Sequence, residues 1–197
     1  MADLDESMGR RRRRLPLLVG LTLGLLAASS VAVSGSLAIF TSTPTLGGNV
    51  FTTGTVILGL NPTTALLTSA NMMPGDTLAA SLVVSNTGTG QLRYAVTSAS
   101  TNADAKNLMN QLTLTVKTLG TSCAVFDGTS LYSGALSAAA FGNPAQGAQA
   151  GDRVLNGAAN ETLCFQANLP AATGNAFQGA TTTTTFTFSA EQTANNP

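Results

Sequence analysis

Few residues in this sequence have side chains suited to acid–base or metal chemistry. The chain of 197 residues has no histidine, so it offers neither an imidazole ligand for a metal nor a histidine general base. Beyond residue 38 it has six carboxylates, which are scattered along the chain: Asp76, Asp104, Asp127, Asp152, Glu161 and Glu191. We therefore predict no catalytic residues, no metal ligands and no cofactor.

Two weaker chemical signals have simpler explanations. Asp127, which precedes Gly128, and Asp152 are of the type that binds calcium in surface loops, but aspartate also forms turns. Lys106 or Lys117 would need a serine partner to form a serine–lysine pair, and no spacing marks one. We interpret the aspartates as turn residues and the lysines as solvated charges.

The two cysteines, Cys123 and Cys164, can form one disulfide in an oxidising compartment. Such a bond would close a loop of about 40 residues and stabilise the fold by roughly 3–4 kcal/mol in the chain-entropy model. The alternative is a pair of buried thiols that never meet. A metal site is not expected, because no further ligand accompanies the pair.

The first 38 residues indicate the compartment. A run of five arginines ends at Arg14, a charge-free apolar stretch follows, and Ser36 and Ala38 place small residues before a cleavage site at Ile39. This order is typical of a cleavable signal helix for secretion. An uncleaved membrane anchor is the alternative, because Leu15–Phe40 is long enough to cross a bilayer. Both interpretations export the rest of the chain.

The distribution of charge supports this division. Residues 1–38 carry five basic and three acidic side chains, a net of +2, whereas residues 39–197 carry four and six, a net of −2. Only 9% of all residues are charged and 44% are hydrophobic, which leaves no electrostatic footprint for nucleic acid. We expect a secreted protein, extracellular or at the cell surface, that contacts a membrane only through its signal segment.

The exported part is rich in threonine, serine and glycine, which favours strands and turns over helices. Apolar alternation or β-branched runs predict strands at 51–60, 78–85, 92–98, 112–117, 163–169 and 182–190. We therefore predict an all-β fold, in which residues 39–197 form a single antiparallel β-sandwich.

Local signals give five further expectations. Turn residues between two strands predict a β-hairpin over residues 78–98, and Met73–Asp76 has the proline and glycine of a type II turn. A short helix is predicted over 102–111, capped by Asn102 or Asp104. Residues 133–157 are interpreted as a long loop. The uncharged, β-prone segment 181–188 would be an aggregation hazard on an edge, so we expect an inner or covered strand.

Several short segments also follow one another in a recognisable order. They are Ser36–Phe40, Asn49–Val56, the pair Met73–Thr77 and Val83–Gly88, and Phe186–Gln192. Together they resemble the TasA/camelysin family of secreted bacterial proteins, whose signal peptides are removed by a dedicated signal peptidase. The resemblance implies a jelly-roll β-sandwich that assembles with copies of itself into extracellular biofilm fibres, with a minor fibre or anchoring protein as a further partner.

In such fibres an N-terminal strand of one subunit completes a sheet of its neighbour. By position, the donor strand would lie within residues 39–50, and the residues suited to extended pairing are Ile39, Phe40, Thr41, Thr43 and Thr45. Pro44 withholds one hydrogen-bond donor, and Gly47–Gly48 would be a flexible link to the first core strand. The alternatives are that this segment pairs within its own subunit or is disordered.

Two other functions remain as alternatives to a fibre subunit. Parts of the family are described as metallopeptidases, but a zinc peptidase commonly uses His-Glu-x-x-His on a helix, and this chain has no histidine. A monomeric surface adhesin or binding module would share the fold and the export. Tyr94 and Tyr132 are the only tyrosines and tryptophan is absent, which disfavours stacking on sugars. We predict a structural subunit that is not an enzyme.

Overall fold

A computed structural model describes Gly48 and residues 50–196. From Phe51 onwards the described residues belong to one compact unit. The strands are β1 (Leu58–Asn61), β2 (Thr77–Asn86), β3 (Leu92–Ser100), β4 (Thr113–Thr118), β5 (Ser130–Ala135), β6 (Ala140–Phe141), β7 (Arg153–Leu155), β8 (Asn160–Asn168) and β9 (Thr184–Gln192). The helices are α1 (Leu108–Gln111) and two 3-10 turns at Leu136–Ala138 and Asn175–Phe177. Within this described part, no helix is long and apolar enough to span a membrane.

Two antiparallel sheets form the fold. Five strands lie in the order β1-β2-β8-β4-β5. In the second sheet β3 is central, with β9 along one side and the short strands β6 and β7 along the other. Buried side chains of both sheets form one hydrophobic core. The predicted all-β sandwich is therefore confirmed.

Alternation along the strands determines which side chains enter the core. In β2, Leu82 and Val84 are buried while the residues beside them are more exposed, and β8 contributes Leu163 and Phe165. The ring of Phe165 packs edge-on against Phe186 of β9, with the ring centroids 5.5 Å apart. Burial of apolar surface, worth about 25 cal/mol per Å², thus joins the two sheets.

The hydroxyl of Tyr94 is a polar group inside the sandwich. Tyr94 in β3 is buried, and its hydroxyl donates a hydrogen bond of 2.8 Å to Oε1 of Glu161, which also forms an ion pair with Arg153. Burial raises the pKa of Tyr94, and the Glu161 carboxylate raises it further, so the hydroxyl stays protonated. The buried hydroxyl of Tyr94 therefore has a hydrogen-bond partner.

The predicted hairpin over residues 78–98 is wrong. β2 and β3 lie in different sheets, and residues 87–91 cross from one sheet to the other. Each of the two strands pairs instead with strands that are distant in sequence, β8 and β9. Turn residues mark where the chain reverses direction, but they do not determine which strand it will pair with.

Asn86 organises this crossing. Its Nδ2 group donates hydrogen bonds to three backbone carbonyl oxygens, those of Gly90 (2.7 Å), Leu155 (3.2 Å) and Asn156 (3.1 Å). Its Oδ1 atom accepts a hydrogen bond of 3.0 Å from the backbone N–H of Gly88. With only 1% of its surface exposed, the side chain replaces the hydrogen bonds that a paired strand would have made.

The predicted helix over 102–111 is reduced to the four residues of α1. Ala105 and Asn107 have φ angles of 56° and 59°, in the left-handed region, which interrupts a right-handed helix. Neither predicted cap acts as one. Asn102 accepts the backbone N–H of Asn107, and Asp104 bonds to the backbone of Lys106 and of a distant loop.

Two other predictions are wrong in extent. The strand expected over 51–60 is observed only as β1. Before Leu58 the chain bonds to the loop at Thr89 and Gly90, so it does not continue the pairing of β1 with β2. The long loop expected over 133–157 contains the end of β5, a 3-10 turn, β6 and β7. Strands of two or three residues are too short to show the alternation of apolar and polar residues that predicts a strand.

Candidate assembly site

Within the described residues, β9 is an edge strand. At the two ends of its pairing with β3, Thr101 N–H donates to the Thr183 carbonyl (2.9 Å) and Thr193 N–H donates to the Gln91 carbonyl (3.2 Å). Hydrogen-bonded and non-hydrogen-bonded residue pairs alternate along an antiparallel ladder. Because Thr183 and Thr193 are both hydrogen-bonded to the β3 side, the odd-numbered residues of β9 make the backbone hydrogen bonds to β3. The even-numbered residues turn their N–H and C=O groups away from β3. They are Thr184, Phe186, Phe188, Ala190 and Gln192.

The expectation that residues 181–188 form an inner or covered strand is therefore wrong for the subunit described. From Thr184 to Ala190 no charge, proline or register shift interrupts β9. Such features normally protect a free edge from pairing with another chain. Composition indicates that the segment needs a partner, but it does not determine whether the same chain supplies that partner.

A groove of about 770 Å³ lies beside the N-terminal end of β9. Its floor consists of apolar side chains at the ends of the first sheet and in the adjoining turns: Leu78, Leu108, Leu112, Leu136, Ala167 and Leu169. Residues 69–74 form one rim and residues 173–182 form the other. Most of these floor residues also belong to the hydrophobic core, so the groove lies directly against one end of the core.

The first rim is held by the turn at Met73–Asp76. Gly75 has a φ angle of 98°, which glycine adopts without strain, and the Asp76 N–H donates to the Met73 carbonyl (2.9 Å). The Gly75 N–H also donates to the Leu169 carbonyl (2.7 Å). The turn predicted from the sequence thus fixes the rim to the end of β8.

The second rim is held by two charged side chains from the loop before α1. Oδ2 of Asp104 accepts the backbone N–H of Thr181 (2.7 Å). Nζ of Lys106 donates to the Gln178 carbonyl (2.6 Å). These contacts position the segment that leads into β9.

Replacing Asp104 with alanine should loosen the second rim. Backbone hydrogen bonds from Lys106 and Thr181 hold the pKa of Asp104 below its usual range, so its contribution is present at neutral pH and is lost as the pH falls through that lowered pKa. At fixed neutral pH we expect faster amide exchange at Thr181 in Asp104→Ala. Asp127→Ala is the matched control, because Asp127 anchors a different loop. Equal protection of Thr181 in both variants would contradict this role.

The structure brings together the two cysteines of the predicted disulfide. Cys123 and Cys164 are bonded, with 5.1 Å between their Cα atoms. The bond ties the loop between β4 and β5 to the buried middle of β8. The other predicted site residues lie outside the described part of the chain: Ser36, Ala38, Ile39, Phe40, Thr41, Thr43 and Thr45.

The aspartates considered as calcium ligands each stabilise a turn. Asp127 accepts hydrogen bonds from the backbone N–H (2.8 Å) and hydroxyl (2.6 Å) of Thr121. Asp152 accepts the backbone N–H groups of Asn143 and Gln149, both at 2.9 Å. Between residues 50 and 196, no three His, Cys, Asp or Glu side chains come close enough together to hold a metal ion.

These features define an antiparallel β-sandwich with an open sheet edge and an apolar groove beside it. Residues 17–118, just over half of the chain, match the family described as camelysin metallo-endopeptidase, and the protein belongs to this family. The match ends at the last residue of β4. A search of curated proteins found no match.

The family description implies a metal ion, and the residues of this chain do not fit one. The chain has no histidine, and both of its cysteines are joined in the disulfide. Asp127 and Asp152 are occupied by their own turns. No metal-dependent step can be assigned to the described residues.

The sequence analysis missed the groove. Met72 and Leu67 lie in an irregular segment, and their half-buried side chains pack against the core. Their spacing in the sequence has neither a strand nor a helix period, so it gave no sign of the groove. The one signal was an excess of apolar residues between two predicted strands. Apolar residues in a loop indicate that the loop packs against another part of the protein, but they do not indicate which part.

Proposed function

We propose that this protein is an exported structural subunit of an extracellular or cell-surface fibre of a biofilm matrix. Copies of the chain polymerise by donor-strand addition, and the donor is the N-terminal segment of the mature chain, residues 39–50. The observation that carries the proposal is the outer edge of β9, which is uncharged from Thr184 to Ala190 and has no partner among residues 50–196.

Strand addition is favourable at such an edge for a simple physical reason. Each outward N–H and C=O group gains a main-chain hydrogen bond, and alternate side chains of the added strand enter the space beside the sheet. A bond of this kind contributes about 1 kcal/mol net, so several bonds must form together with apolar burial. An edge of nine residues beside an apolar groove provides both.

Three further observations support an exported fibre subunit. Camelysin family members are extracellular or cell-surface proteins. The arginine run and the apolar stretch at the N-terminus of this chain are suited to export. A disulfide suits an oxidising compartment.

A metal-dependent peptidase is the alternative named in the family description. Purified protein is expected to leave casein intact with or without a chelator, because no histidine ligand exists in the chain. Robust cleavage that a chelator abolishes would overturn the proposal of a purely structural role. A monomeric surface module would also leave casein intact, so filament formation is the test that distinguishes it.

Negative-stain electron microscopy of residues 39–197, beside a variant chain that begins at Asn49, tests the proposal directly. The shorter chain keeps the whole described sandwich, so it serves as a matched control for folding. We expect filaments from the longer chain and discrete particles from the shorter one. Discrete particles from both chains, under all salt and pH conditions tried, would overturn a self-assembling subunit and favour a monomeric surface module.

A further inference from the structure

The sheet edges in the described residues differ in their capacity to receive a strand. β1 has four residues and is followed by Pro62, and the pairing of β5 with β4 shifts register at Val116 and Lys117. β9 has nine residues in unbroken register with β3. The fourth edge consists of β6 and β7, which have only two and three residues. Proline, irregular pairing and short strands protect an edge, so β9 is the least protected of the four.

The groove adds a second reason to choose β9. Thr182 and Thr184 lie on its wall, and its floor is formed by apolar side chains at one end of the hydrophobic core. A strand paired with the outer side of β9 would extend the narrower sheet over this floor. Its inward side chains would then cover apolar surface that is otherwise exposed to water.

The N-terminal segment has two chemically different faces. In an extended chain Phe40 and Leu46 lie on one face, with Ser42 and Pro44 between them. The opposite face has Ile39 followed by three threonines, Thr41, Thr43 and Thr45. β9 has the same arrangement, with Phe186 and Phe188 facing inward and Thr185 and Thr187 exposed. The stretch from Thr184 to Ala190 spans about 23 Å, which is also the extended length of residues 40–46.

We infer that the outer edge of β9 and the adjoining groove receive the N-terminal segment of a second copy of this chain. The face that carries Phe40 and Leu46 turns into the sandwich, and the threonine face continues the exposed threonines of β9. This inference rests on the proposed function, and it names the acceptor surface and the orientation of the donor.

Photo-crosslinking in mixed filaments tests the location. A benzophenone amino acid replaces the exposed Thr185, where a substitution should leave assembly intact, in ¹⁵N-labelled chains of residues 39–197, which are copolymerised with unlabelled chains and analysed by mass spectrometry. We expect crosslinks from labelled β9 to unlabelled peptides within residues 39–50. Filaments whose crosslinks stay within one chain, or reach other surfaces, would overturn this inference alone. Absence of filaments from the unsubstituted chain would overturn the proposed function as well.

Two matched pairs of variants test the orientation. Phe40→Thr should raise the critical concentration for filaments about tenfold, whereas Ile39→Thr should change it little, because only Phe40 is buried in the complex. Thr184→Lys should block assembly and Thr185→Lys should not, since Thr184 lines the groove and Thr185 faces solvent. Equal assembly within either pair, with unfolding temperatures unchanged, would overturn the orientation.

Discussion

Asn86→Ala is expected to lower the free energy of unfolding by about 4 kcal/mol. The substitution removes the amide that donates to the carbonyl groups of Gly90, Leu155 and Asn156 and accepts from the Gly88 N–H, at a side chain that is only 1% exposed. Each such group costs about 1–3 kcal/mol when water cannot reach it, although the individual costs do not add fully. Urea denaturation of residues 49–197, followed by far-ultraviolet circular dichroism, measures the change.

Asn110→Ala is the matched control for this experiment. Asn110 is exposed and accepts a single side-chain hydrogen bond, from Ser137, so the loss should be below about 1 kcal/mol. If the two variants lost equal stability, the role assigned to Asn86 in joining the two sheets would be wrong. Because the crossing lies at the end of the sandwich opposite the groove, Asn86→Ala should weaken the whole subunit rather than the assembly surface alone.

Loss of the disulfide should have an effect of similar size. The bond closes a loop across a sequence separation of 41 residues, for which the chain-entropy model gives about 4 kcal/mol of stabilisation. The double variant Cys123→Ala with Cys164→Ala should therefore unfold at a clearly lower urea concentration than the oxidised protein. Alanine keeps part of the apolar packing of Cys164, which is buried.

The unsubstituted protein, unfolded in the presence of a strong reductant, is the control for this comparison. It should match the double variant to within about 1 kcal/mol, because both lack the same cross-link. An oxidised protein no more stable than the double variant would show that the bond does not constrain the unfolded chain. Filament formation by the double variant would then report whether the loop between β4 and β5 matters for assembly.

The fold class could be predicted from the sequence because strand formation leaves a local signal. The alternation of Leu82 and Val84 with smaller residues, and of Leu163 and Phe165 with polar ones, is enough to indicate half-buried strands. The turn at Pro74–Gly75 is equally local, since glycine supplies the left-handed φ angle. The disulfide was expected because the chain has a single pair of cysteines and its N-terminal residues predict export.

Pairing between strands could not be predicted, because it depends on residues that are distant in sequence. The glycines after Asn86 suit a hairpin and a crossing equally well, and the outcome is decided by carbonyl groups of Leu155 and Asn156, about 70 residues further along the chain. The helix expected after residue 102 failed for a related reason. The backbone there instead follows contacts made with the loop at Gln178 and Thr181.

The sequence by itself therefore determined the composition of this protein's surfaces: few charges, no histidine, threonine-rich strands and an N-terminal segment suited to export. Only the tertiary structure decided where these surfaces lie. It placed β9, which is uncharged from Thr184 to Ala190, at an edge of the four-stranded sheet, and it placed a groove with an apolar floor beside the N-terminal end of that strand. An edge is a property of how many strands pair and in what order, and no single segment contains that information.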